Sequence, residues 1–191
     1  MTVLTRPRHR LVAEALSIAR VWCAGHSIDG APALGHAVEV ALKLGEHAPD
    51  APAELVAAVL LHDAPYFAPP AEDLDATLTA RLSPSVARIV RALETEHQAL
   101  AGQGEPRTRT DDDWVLQASA ADKIVSFTSI LTQAASSHDP HAYWHTRRPF
   151  LARLPRFRSF HTQASAHLPH TMTAELGRLI DTAESMTARI R

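Results

Sequence analysis

With 191 residues, 46% of them hydrophobic and 21% charged, the chain is long enough to bury one sizeable core and short for two. A formal net charge of -2 and the absence of any long Lys/Arg run exclude the electrostatic footprint of a nucleic-acid or anionic-lipid binder, while leaving room for a local basic site that takes a small anion. Cys23 is the single cysteine, so no intrachain disulfide is available and the fold does not depend on an oxidising compartment.

The longest apolar run, Leu55 to Leu61, falls far short of the roughly 20 residues of a membrane span. Arg6, Arg8 and Arg10 have no apolar stretch behind them that would make a secretory signal, and a cytoplasmic location is the expectation.

In chain order, Leu11 to Ala24 carries apolar residues at helical spacing and ends near Gly25. Gly25 to Pro32 reads as a loop, and Ala33 to His47 as a second helix with His36 in its first turn. A third helix opens at Asp50 or Pro52 and runs through Leu55-Val56-Ala57-Ala58-Val59-Leu60-Leu61-His62-Asp63. So dense an apolar segment predicts a helix buried on nearly all sides, ended at Ala64 by Pro65.

Pro65, Pro69 and Pro70 predict an extended connection, followed by a short helix from Leu74 to Leu82. Ser83-Pro84 is a cap and first-turn pair for a helix over Ser85 to Thr95, and Gly102 to Asp113 is a polar loop. Helical periodicity returns from Trp114 to Ala135, with Asp122 between apolar neighbours. A basic, aromatic-bearing region from Tyr143 to Phe160 precedes a last helix from about Thr171 to Ile190. No strand-like alternation lasts more than a few residues, and there is no internal repeat or linker, so an all-α single domain is expected.

Three places put a metal-capable side chain into an apolar helix: His36, His62-Asp63 and Asp122. A buried, unpaired Asp63 carboxylate would cost several kcal/mol or take up a proton, and a divalent cation would compensate it. Two imidazoles and two carboxylates suit Mn²⁺, Fe²⁺, Zn²⁺ or Mg²⁺ and leave positions open to water, which such an ion acidifies while polarising a phosphoryl oxygen. Each residue taken singly also fits a hydrogen-bonded polar group at a helix end or in the core, so a helical protein without a metal stands as a further reading.

The order His36, then Leu61-His62-Asp63, then Ala121-Asp122-Lys123 resembles the H…HD…D pattern of HD-domain metal-dependent phosphohydrolases. Within them the sequence is most similar to the hydrolase domain of RelA/SpoT-type enzymes and the small alarmone hydrolases, which remove the 3'-pyrophosphate of (p)ppGpp with Mn²⁺. The similar stretches are Gly30 to Pro32, Gly35 to Ala41, Ala57 to Asp63, Ser83 to Val90 and Ala120 to Ile124, within residues 10 to 135 of the chain. Residues 136 to 191 match only as helices.

The resemblance implies an all-α HD-type bundle of about eight to ten helices. It implies a divalent metal, foremost Mn²⁺, on His36, His62, Asp63 and Asp122, and a phosphorylated small-molecule substrate, foremost a nucleotide. The sequence departs from the family where the Glu-Asp pair that positions the attacking water should follow the HD aspartate: Tyr66 and Phe67 stand there. Glu72-Asp73 is a displaced candidate for that catalytic role, and an acidic helix start is its other reading.

Ser27-Ile28 replaces the family's Arg-Lys pair, and Ser126 replaces its Asn, both nucleotide-contacting positions. The remaining candidates for substrate binding are Lys123, Arg147 and Arg148, with Arg107 and Arg109 behind them, and Tyr66, which either stacks on a base or, with Phe67, fills the vacated space. His141, His145 and His161 are candidates for the pocket mouth. Two functions follow: a phosphohydrolase, or a catalytically degenerate relative that binds metal or nucleotide as a sensor or partner-binding module.

Overall fold

The computed structural model describes residues 3–4, 8–102 and 111–188; Arg107 and Arg109 lie outside the described residues. The fold is all-α, with ten helical segments and one two-stranded hairpin among the described residues. Several helices form where the apolar spacing and a side-chain cap agree, and others start without one.

α1 (Arg10–Trp22) buries Val12, Ala15, Leu16, Ile18, Ala19 and Trp22, one stripe at i, i+3, i+4 spacing. Between α1 and the next helix lies a hairpin, β1 (Ser27–Ile28) antiparallel to β2 (Ala31–Pro32). Its two-residue turn is Asp29-Gly30 with φ of 50° and 85°, the backbone a tight hairpin requires and one that Asp and Gly tolerate best. The loop expected at Gly25 to Pro32 is therefore partly paired, because Asp-Gly chemistry forms a hairpin even with strands too short to show alternation.

α2 (Ala33–His47) and α3 (Ala53–Leu60) follow, and α3 is the centre of the molecule, with every residue from Leu55 to Leu60 buried. It packs against α1, α2 and α6 (Pro84–Leu100), so the segment without a polar face has no solvent to meet. Its end differs from the expected one. The helix closes at Leu60, residues 61–63 form a turn, and a further short helix α4 (Ala64–Phe67) begins with Pro65 in its first turn. Proline there adopts its natural helical φ and lacks only a donor that would be unsatisfied anyway, so Pro65 starts a helix instead of leading into an extended connection.

α5 (Leu74–Arg81) is capped by Asp73, whose carboxylate accepts from the Ala76 N–H at 3.0 Å, and α6 by Ser83. The 24-residue α7 (Asp113–Ser136), capped by Asp112, runs through the core against α2 and α10 (His170–Ala188). α8 (Pro140–Thr146) and α9 (Arg148–Ala164) complete the C-terminal part. Phe127 of α7 meets Phe150 and Phe157 of α9 edge-to-face at 5.0 Å, which fastens the basic, aromatic-bearing region onto the core. The buried side chains from Val12 to Ala183 form one continuous cluster.

Candidate metal centre

His36 sits in the first turn of α2 and is buried; its Nε2 lies 3.0 Å from Asp122 Oδ1, halfway along α7. His62, 2% exposed, and Asp63 occupy the turn between α3 and α4, where no regular backbone pattern limits their directions. His62 Nδ1 lies 2.7 Å from the Val59 carbonyl oxygen, a contact that puts a ring proton on Nδ1 and turns Nε2 toward the carboxylates. That Nε2 stands 3.1 Å from Asp63 Oδ2 and 3.6 Å from Asp122 Oδ1, yet it is buried without a hydrogen-bond partner among the described residues.

Donor atoms of His36, His62 and Asp122 all lie within 4.8 Å of one another, and Asp63 adjoins this trio through His62. The structure thus groups three of the candidate ligands, His36, His62 and Asp122, from α2, the α3–α4 turn and α7, with Asp63 beside His62. It adds one that the sequence reading missed: His97, whose Nε2 is 3.3 Å from Asp122 Oδ2 and is likewise buried without a hydrogen-bond partner. A signal for it existed. His97 follows Leu93 by four residues and Val90 by seven, on the buried stripe of α6, but the helix was expected to stop at Thr95 and in fact continues to Leu100.

Burial disfavours a charge on Asp122, but the hydrogen bond from His36 and the approach of His62 and His97 outweigh it and hold the carboxyl well below the usual range. Burial equally disfavours a charge on His62, and there the charge of Asp63 with the approach of both carboxylates prevails, so the imidazole titrates well above its ordinary value. Asp63 is held low against its own burial by His62.

Around this cluster the aromatic residues divide. Phe67, partly buried, stacks on the exposed His26 with ring centres 4.5 Å apart, whereas Tyr66 is 49% exposed and its ring lies over His97 at 6.4 Å and 20°.

The other candidates lie in different surroundings. Glu72 and Asp73 are exposed at the start of α5, where Glu72 accepts from the Thr77 hydroxyl at 2.5 Å and Asp73 caps the helix. Lys123, 2% exposed, points away from its neighbour Asp122; its ammonium group meets Glu96 at 2.7 Å and Ser119 at 2.5 Å, and lies 4.3 Å over the Phe160 ring. Arg147 pairs with Asp29 of the hairpin turn at 2.7 Å.

Arg148, His141 and His145 line a cavity of about 360 Å³ beside Trp144, formed by the C-terminal helices. His161 bonds the Thr173 carbonyl across α9 and α10. A larger cavity, about 960 Å³, opens between α2 and α7 beside Glu39, Lys43 and Gln133, and the metal-capable cluster is not part of its lining. No family model, curated protein or solved structure matches the chain.

Proposed function

We propose that the chain is a metal-dependent phosphohydrolase of the HD type, acting in the cytoplasm on a nucleotide or (p)ppGpp-like phosphoester or pyrophosphate. The observation that carries this reading is the buried His62 Nε2, set between the Asp63 and Asp122 carboxylates without a hydrogen-bond partner among the described residues. An unpartnered buried nitrogen costs about 1–3 kcal/mol in a protein that gains nothing from it, and a cation removes the cost.

The donors fit a divalent ion. His36, His62, Asp63 and Asp122 would hold it, with two neutral imidazoles and two carboxylates that balance its charge. Mn²⁺ is the foremost candidate, with Fe²⁺, Zn²⁺ and Mg²⁺ behind it. The ion supplies Lewis acidity, which polarises a phosphoryl oxygen and makes water a nucleophile near neutral pH.

The protein's own residues supply the orientation. The Val59 carbonyl fixes the tautomer and the plane of His62, the role that outer hydrogen bonds play at metal-bound histidines. Tyr66 offers a half-exposed ring beside the centre, the only one of the substrate-binding candidates among the described residues placed against it, and a base can stack there.

A second reading, a metal- or nucleotide-binding relative without turnover, is favoured by one observation. The displaced carboxylates Glu72 and Asp73 are occupied at the start of α5, and Lys123 and Arg147 are occupied by Glu96 and Asp29. A phosphate-release screen over nucleotides and alarmones with Mn²⁺ separates the two. Asp63→Ala is expected to abolish both metal content and any release; a variant that keeps full metal and hydrolysis overturns the proposal. Binding of guanosine tetraphosphate with no product favours the second reading.

A further inference from the structure

We infer that His97 is itself a metal ligand, a third imidazole that enters the centre through Nε2 on the Oδ2 side of Asp122. This rests on the metal reading above and deepens it: it specifies which ions the centre prefers.

Three observations support it. The first is the state of the nitrogen. His97 Nε2 is fully covered by protein and has no hydrogen-bond partner among the described residues, the same condition as His62 Nε2. Packing alone leaves both nitrogens uncompensated, and one ion-binding centre compensates both.

The second is the division of the Asp122 carboxylate. Oδ1 faces His36 at 3.0 Å and His62 at 3.6 Å, whereas Oδ2 faces His97 at 3.3 Å. Donors bound to a common ion at about 2.0–2.2 Å sit about 3–4 Å apart, and each of the three separations is compatible with that; the donors that all lie within 4.8 Å of one another are those of His36, His62 and Asp122, so His97 joins them through the second oxygen of Asp122. A carboxylate that served only to anchor His36 would have no reason to present its other oxygen to a second buried imidazole nitrogen.

The third is how the ring is held. Tyr66 stacks on one face of His97, and the edge of His62 meets it at 81° with ring centres 5.9 Å apart. The imidazole is thus oriented without using its Nε2.

Each added imidazole moves a site's preference away from Mn²⁺ and Mg²⁺, which favour oxygen donors, toward Co²⁺, Zn²⁺ and Fe²⁺. With His36, His62 and His97 the centre carries three imidazoles against two carboxylates, and selectivity for the borderline ions is the property His97 contributes.

The test uses the full chain, titrated with Co²⁺ by visible absorption and with Mn²⁺ by calorimetry, in the wild type, His97→Gln and His36→Ala. His97→Gln is expected to weaken Co²⁺ by about tenfold or more, to change the Co²⁺ absorption band, and to weaken Mn²⁺ less. Equal weakening of both ions with an unchanged band means that His97 only steadies Asp122, and overturns the inference; so does an unchanged affinity.

His36→Ala tells the two levels apart. If it abolishes binding while His97→Gln does not weaken it, His97 alone is wrong. If His36→Ala also binds normally, the metal reading of the whole site falls. Should His97→Gln not fold, the Co²⁺-loaded wild type still decides: three paramagnetically shifted imidazole N–H resonances support a third ligand, and two overturn it.

Discussion

Lys123 adjoins the candidate ligand Asp122 in the sequence and faces the other way in space. Its ammonium group is buried against Glu96 and Ser119 and under the Phe160 ring, so its work is to join α7, α6 and α9. Adjacent residues on a helix point about 100° apart, which is why a neighbour of a site residue so often serves the core instead. Removing one partner of a buried ion pair costs about 3–5 kcal/mol, because the other is left charged or must take up a proton. Lys123→Met is therefore expected to lower the urea-unfolding free energy by that amount, and adding Glu96→Leu to recover most of it. A loss under about 1 kcal/mol in Lys123→Met would show the pair to be solvated instead.

At the scale of elements, caps decide what two of the acidic candidates do. Asp73 accepts the Ala76 N–H at the start of α5 and Glu72 holds the Thr77 hydroxyl, an arrangement that serves the helix whether or not a substrate is present. Asp73→Ala is expected to cost about 0.5–2 kcal/mol of stability, read by thermal or urea unfolding. Metal affinity and any phosphate release are expected to stay unchanged; a hundredfold loss of release with intact stability would instead make Asp73 the base.

Element ends also explain what the linear reading of the centre lacked. α6 runs five residues beyond the expected Thr95, and that added turn delivers His97. α3 stops three residues before Asp63, so His62 and Asp63 stand on a turn and both reach the same region, which two successive helical residues rarely do.

At the scale of the molecule, ion pairs tie elements far apart in the chain. Arg147 holds the hairpin turn through Asp29, Arg91 of α6 holds Asp75 of α5, and Lys43 of α2 bridges its neighbour Glu46 and Glu175 of α10. The Arg91 hydrogen bond lowers the Asp75 carboxyl below its ordinary value, and the Lys43 hydrogen bond does the same for Glu46. A carboxylate depressed in the folded state contributes stability above its unfolded pKa, and that contribution is lost as pH falls through the folded one.

Both carboxylates are exposed, so each pair is worth about 0.2–1 kcal/mol and is screened by salt. Asp75→Asn is expected to be destabilised by that much at pH 7. The difference from the wild type should shrink toward zero below about pH 4, and in high salt. A gap of equal size at pH 3 would assign the effect to packing, not charge.

α1, α2, α3, α5, α6, α7 and α10 were legible because each states itself locally, whereas α4, α8 and α9 were not read as helices. The apolar stripes of α1, α2 and α7, the caps Ser83 and Asp112, and the unbroken run of α3 depend only on spacing within the segment. The four residues His36, His62, Asp63 and Asp122 were legible as candidates because polar groups in apolar helices require a partner, and a family resemblance named the order. Their convergence was not legible, nor was the place of His97. Those depend on how α2, α6 and α7 cross α3, and no local pattern encodes the distance between segments that lie 25 to 86 residues apart.

The sequence by itself determined an all-α chain with α3 at its core and a short roster of groups able to hold an ion, since both follow from burial and periodicity. Only the tertiary structure decided which of those groups meet. It set His36, His62, His97, Asp63 and Asp122 around one buried region, and it turned Lys123, Arg147, Glu72 and Asp73 to pairing and capping, because the direction of a side chain is settled by what packs against its helix.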